Sequence, residues 1–129
     1  MGRRYLLVDE VDAALRRGKT VEAFLGSCNR AGERGIRWLA LSSKRASIEV
    51  RIRETNDFGD PESLDLYEFG PLDPALELDE ADETLSFPDL RSCLSALSER
   101  FPGVQGRLVN EGVIQDEYAD FIARDRKNA

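Results

Sequence analysis

The run Ile48-Glu49-Val50-Arg51-Ile52-Arg53 alternates apolar and charged side chains without a break. A strand turns successive side chains to opposite faces, so this pattern demands a sheet with one face buried and one wet. A helix of the same residues would scatter the three apolar side chains around its circumference. Ile36–Leu41, with Trp38, Leu39 and Leu41, is predicted as a further strand. Leu64–Phe69 is another, with Leu64 and Leu66 on one face and Tyr67 and Phe69 on the other. Apolar residues on both faces make it central, or covered on one side by a partner. Val21–Leu25 fits either a strand or a turn of helix, Asn29–Gly35 reads as a loop, and Gly106–Val109 as a final short strand.

Three helices complete the reading. Asp9, with Asp12 three residues on, caps a helix over 9–17 whose apolar positions are Val11, Ala14 and Leu15 and which Gly18 stops. Ser86 caps a second, with Pro88 in its first turn and Asp89 three residues on. Its buried stripe is Leu90, Cys93, Leu94, Leu97 and Phe101, at helical spacing, and Pro102-Gly103 ends it. Asn110 caps a last helix with the stripe Ile114, Tyr118, Phe121 and Ile122. Asp116 and Glu117 near its positive end and Arg124, Arg126 and Lys127 at its negative end suit the helix dipole. The expected class is α+β, with a mainly antiparallel sheet of about four to five strands and three helices packed on one face. The 129 residues are read as one globular domain, 1–129.

The charge is not evenly spread. Residues 1–53 carry 12 bases and 6 acids, residues 91–129 carry 6 of each, and residues 54–90 carry 13 acids and no base. One reading is that these acids sit on wet loops and strand faces, some paired with Arg51 and Arg53 on a neighbouring strand. The other is that they form a docking surface for a basic partner, since a field of one sign raises association rates towards about 10⁸–10⁹ M⁻¹s⁻¹ at low salt. On that second reading the contact residues are Asp57, Asp60, Glu62, Asp79, Glu80, Asp82 and Glu83. The same field opposes direct binding of nucleic-acid phosphates.

Histidine is absent, which removes imidazole bases, Ser-His-Asp and Cys-His pairs and histidine metal ligands. No phosphate loop is present, because Lys19-Thr20 follows a single glycine, and Asp79–Glu83 lacks the glycine turn and spacing of a calcium loop. No cofactor and no metal are expected, and the chain reads as a binding protein rather than an enzyme. Cys28 and Cys93 read as reduced, structural thiols. The apolar run Tyr5–Val8 behind Arg3 and Arg4 is shorter than the about 7–15 residues of a signal peptide, so no membrane is involved and a cytoplasmic location is expected.

Leu66-Tyr67-Glu68-Phe69 running into Pro71-Leu72-Asp73, the stretch Val109–Tyr118 and the strand Ile36–Leu41 together resemble immunity proteins of bacterial contact-dependent growth inhibition systems. The resemblance covers about half of the chain. It implies a cytoplasmic, non-catalytic protein that binds and neutralises the toxin domain of its own strain. With the acidic segment, it makes a basic nuclease toxin the expected partner, the carboxylates standing where substrate phosphates would lie. A different class of function is a subunit or scaffold that binds through an apolar patch, with Tyr67, Phe69 or Phe58 as anchors. A third is a small carboxylate enzyme, whose mark would be a buried Asp or Glu of raised pKa inside a pocket. The oligomeric state is left open.

Overall fold

The computed structural model describes residues 4–57, 59, 60 and 62–127, with side chains as far as Arg124. Helix α1 (Val8–Arg16) leads into three long strands, β1 (Val21–Arg30), β2 (Glu33–Lys44) and β3 (Ser47–Asn56). A long loop then returns as β4 (Glu83–Phe87), followed by α2 (Leu90–Arg100), the short β5 (Val109–Asn110) and α3 (Ile114–Lys127). The sheet has the order β4-β3-β2-β1-β5, and every pairing in it is antiparallel. The α+β class and the antiparallel sheet are as the sequence predicts.

The alternation in β3 works as expected: Val50 and Ile52 are buried, and they stack with Leu39, Leu41, Val21 and Ala23 of the neighbouring strands. Val11, Ala14 and Leu15 of α1 and Cys93, Leu94 and Leu97 of α2 close this core. The third helix does not join them. Phe24, Ile36 and Trp38 project from the other face of the sheet and pack against Ile114, Tyr118 and Ile122 of α3. The expectation of three helices on one face is therefore corrected to two on one face and one on the other. The reason is β2, which carries large apolar side chains at both parities and has to bury each set, at roughly 1.5–3 kcal/mol per side chain. In β1 plain alternation sends Val21, Ala23 and Leu25 to the first core and Phe24 to the second, and a bulge then shifts the register between Phe24 and Gly26.

Several local expectations change. Asn29–Gly35 is not an open loop but a tight hairpin, with Arg30 opposite Glu33 and positive φ at Ala31 and Gly32. Leu66–Glu68 forms a 3₁₀ turn rather than a strand, opened by the Asp65 carboxylate accepting from the Tyr67 N–H at 3.1 Å. Residues three apart eclipse in such a turn, and that sends Leu66 and Phe69 into the second core together. A 3₁₀ turn also occupies Val104–Arg107, leaving only Val109–Asn110 for the last strand. Ser86 lies in β4, and Asp89 caps α2 by accepting from the Ser92 N–H at 2.7 Å. Helix α1 starts at Val8, with Leu7 and not Asp9 at its N-cap position, and the Glu10 carboxylate accepts from the Leu7 N–H at 2.9 Å. Asn110 belongs to β5, and Gly112, at φ 94°, makes the turn into α3. The side chains of Arg126 and Lys127, and all of Arg3 and Phe58, lie outside the described residues.

Candidate functional site: an acidic loop held by its backbone

The acidic segment is the connection between β3 and β4, and its path gives it a defined shape. After Asn56 the chain leaves the sheet and returns, so that the Leu72 N–H donates to the Glu54 carbonyl at 3.1 Å. It leaves again, and the Asp82 N–H donates to the Ile52 carbonyl at 2.9 Å. Residues 73–81 thus form a compact excursion whose two ends sit two residues apart on β3, the shape of an Ω loop. The Asp82 carboxylate accepts from the Glu54 N–H at 2.6 Å, taking the place of a ladder acceptor at the neck.

The neck is charged but internally paired. Arg30 reaches Glu54 and Asp82 at 3.1 Å and Asp73 at 3.2 Å, and Arg37 donates to Glu54 at 2.9 Å. Two guanidiniums therefore fill the space between three carboxylates. Among the described residues no group of three His, Cys, Asp or Glu side chains is placed to hold a metal ion.

The tip is held differently. Arg51 donates to the main-chain carbonyl of Asp79 at 2.6 Å, and Arg53 to that of Leu78. The Arg53 guanidinium lies 5.1 Å from the centre of the Trp38 ring, and burial, followed by the neighbouring Arg51, lowers its pKa. The expected pairing of these arginines with carboxylates on a neighbouring strand is corrected: their cross-strand neighbours are Thr84 and Trp38, and the nearest acceptors are carbonyls of the loop. The consequence is chemical. Glu77, Asp79 and Glu80 are exposed, and none of the three carboxylates has a cationic partner within ion-pair distance among the described residues. Leu78, 53% exposed, protrudes between them.

The seven residues singled out from the sequence divide accordingly. Asp60, Glu62, Asp79 and Glu80 are exposed. Asp57 is engaged inside the fold, accepting from the Tyr118 hydroxyl at 2.5 Å and the Gly59 N–H at 3.0 Å. Asp82 belongs to the neck. Glu83 forms a two-point pair with Arg100, which holds its carboxyl below the usual range. Glu77 and Leu78 were missed as contact positions, although their place in the densest acidic run was a signal for both.

Of the apolar anchors considered, Phe69 is buried in the second core and the Tyr67 hydroxyl is committed to Glu22 at 2.7 Å. Glu22 is 1% exposed and also accepts from the Gly112 N–H at 3.1 Å. Burial raises its pKa, against these two hydrogen bonds, and the nearby Glu111 adds to the rise. This is one mark of a carboxylate enzyme. The adjoining cleft of about 490 Å³, however, is lined by other residues, from Arg17–Thr20 and Asn110–Glu111. Here Glu22 ties β1 to the turn before α3 and to the 3₁₀ turn that carries Tyr67. Both cysteines are free and buried, and burial pushes the Cys93 thiol up to about 12.

Comparison with known proteins gives no match: no family model, curated protein or solved structure is significantly similar to this chain. The site is therefore read on its own chemistry. No described helix is long and apolar enough to cross a membrane.

Proposed function

We propose that the protein is a non-catalytic binding protein whose acidic loop docks on the basic face of a partner protein. The observation that supports this most is the grip of Arg51 and Arg53 on loop carbonyls, which fixes the loop while leaving Glu77, Asp79 and Glu80 exposed. A fixed loop loses little conformational freedom on binding, so more of the interaction appears as affinity. The Glu80 carboxylate accepts from the Glu77 N–H at 3.0 Å, but with no cation beside them among the described residues the three carboxylates retain their field for steering.

The partner class that fits is a basic nuclease toxin, whose cleft is built for phosphate. The carboxylates of the loop take the phosphate positions and Leu78 seats against the rim, so the inhibitor acts by occlusion in the cytoplasm. This is the role of the growth-inhibition immunity proteins that parts of the sequence resemble.

The test is capture from the native lysate at low salt. The tagged protein is run beside a Glu77→Lys/Asp79→Lys/Glu80→Lys variant whose fold is checked by circular dichroism. One basic nuclease, held by the unaltered protein, inhibited by it and lost by the variant, is the expected result. The same partner held equally by both moves the interface off the loop and overturns the proposal.

A further inference from the structure

Apart from Leu78, the exposed large apolar side chains among the described residues are Tyr5, Leu7 and Val8, at 43%, 59% and 39% exposure. Three such residues within four positions are unusual on a surface with this much charge. They are not a loose tail. Tyr5 donates its hydroxyl to Glu117 at 2.8 Å, the Leu6 N–H donates to the Leu108 carbonyl at 2.7 Å, and the Leu7 N–H donates to Glu10 at 2.9 Å. Arg4 adds contacts to Glu117 at 2.7 Å and Asp120 at 2.6 Å. These contacts tie the strap to α3, to Leu108 just before β5 and to α1.

Beside it runs a groove of about 540 Å³ between α1 and α2, with Val8 and Asp9 on one wall, Leu90, Arg91 and Leu94 on the other, and Gln105 at its end. A second cleft of about 400 Å³ continues it past Tyr5 and Leu7. Asp12, also on the α1 wall, is neutralised by Arg16 at 2.9 Å. Asp9 and Arg91 form no ion pair among the described residues. The face therefore carries an apolar knob next to an apolar hole, with an acid on one wall and a base on the other, neither in an ion pair among the described residues. A knob, a hole and both signs of charge on one face are the elements that an isologous two-fold contact needs.

We propose that this face pairs with a second copy of the chain. Leu7 of each copy enters the α1–α2 groove of the other, and Asp9 of each meets Arg91 of the second copy. The charge on the chain does not oppose this, because the acidic loop tip is gripped by arginines on the opposite face of the sheet from α1 and α2. A stable pair of this kind needs about 800 Å² on each copy, roughly a tenth of the 7780 Å² that the chain exposes. The proposal is independent of what the acidic loop binds.

Sedimentation velocity of the full chain, from low to several hundred micromolar, tests it. The expected result is a dimer that Leu7→Asp converts to a monomer with an unchanged circular dichroism spectrum. Asp9→Arg and Arg91→Asp each weaken the dimer about tenfold, a typical loss for a rim charge pair placed against its own sign, and the double reversal restores it. A monomer at every concentration, a dimer indifferent to Leu7→Asp, or a double reversal no better than the single ones overturns the proposal. A foreign amphipathic helix that binds the groove of a monomeric protein overturns it as well.

Discussion

Arg51 donates to the main-chain carbonyl of Asp79 and not to its carboxylate, although the two side chains belong to neighbouring parts of one surface. The loop is thereby fastened by its backbone, and its negative charge is left at the surface. What holds the loop and what the loop displays are thus different groups.

Arg51→Ala and Arg53→Met remove the grip, the second keeping an apolar stem over Trp38. Amide exchange at residues 76–82 is expected to quicken in each variant. The loss of global stability should stay at about 1 kcal/mol, because one net hydrogen bond is involved in each case. Unchanged exchange in the loop would show that the arginines do not hold it.

Gly35→Ala tests how the loop is seated. An added Cβ there would stand 2.4 Å from both the Thr55 carbonyl oxygen and the Leu72 side chain. The backbone contact leaves no easy relief, so a cost of about 1–3 kcal/mol or more is expected, read as a lower urea midpoint. A midpoint within error of the unaltered protein would mean that Thr55 and Leu72 do not close over Gly35 in this way.

Ala31 holds φ of 52° in the hairpin between β1 and β2, next to Gly32 at 84°. Left-handed backbone costs an alanine about 1–2 kcal/mol, and asparagine tolerates it better. Ala31→Asn builds the Asn-Gly pair that such hairpins favour and should raise the melting temperature. A lower melting temperature would contradict the turn geometry.

The sign of the Glu22 effect is set by its raised pKa. Between the unfolded and folded values the native state binds the extra proton, so stability is fullest below the unfolded value and falls as pH rises through the folded one. Glu22→Gln keeps an acceptor for Tyr67 and Gly112 without the charge. Relative to the unaltered protein, it should gain stability at neutral pH, with the difference shrinking as pH is lowered towards the ordinary glutamate range. A difference that is constant with pH would show that Glu22 is not responsible.

The strands and helices were legible where one periodicity dominated. The alternation through Ile48, Val50 and Ile52 marked β3, and the stripe Leu90, Cys93, Leu94, Leu97 marked α2. The second core was written in β2, where Ile36 and Trp38 stand at one parity and Leu39 and Leu41 at the other, but a count of strands and helices does not use that signal. Leu66–Phe69 was misread because a short apolar run fits more than one backbone shape. The acidity of the candidate site was plain from composition. Which carboxylates lack a cation was not, since Asp73 and Asp82 are neutralised by Arg30, more than forty residues earlier.

The most direct measurement is the association rate of the captured basic partner against ionic strength. It compares the unaltered protein, the Glu77→Lys/Asp79→Lys/Glu80→Lys variant, and a Glu99→Lys/Asp116→Lys control that moves the net charge in the same direction away from the loop. The account predicts a rate that falls steeply with salt for the unaltered protein and the control, and a slow, nearly flat one for the loop variant. A rate insensitive to salt, or equal in the loop variant and the unaltered protein, would contradict it.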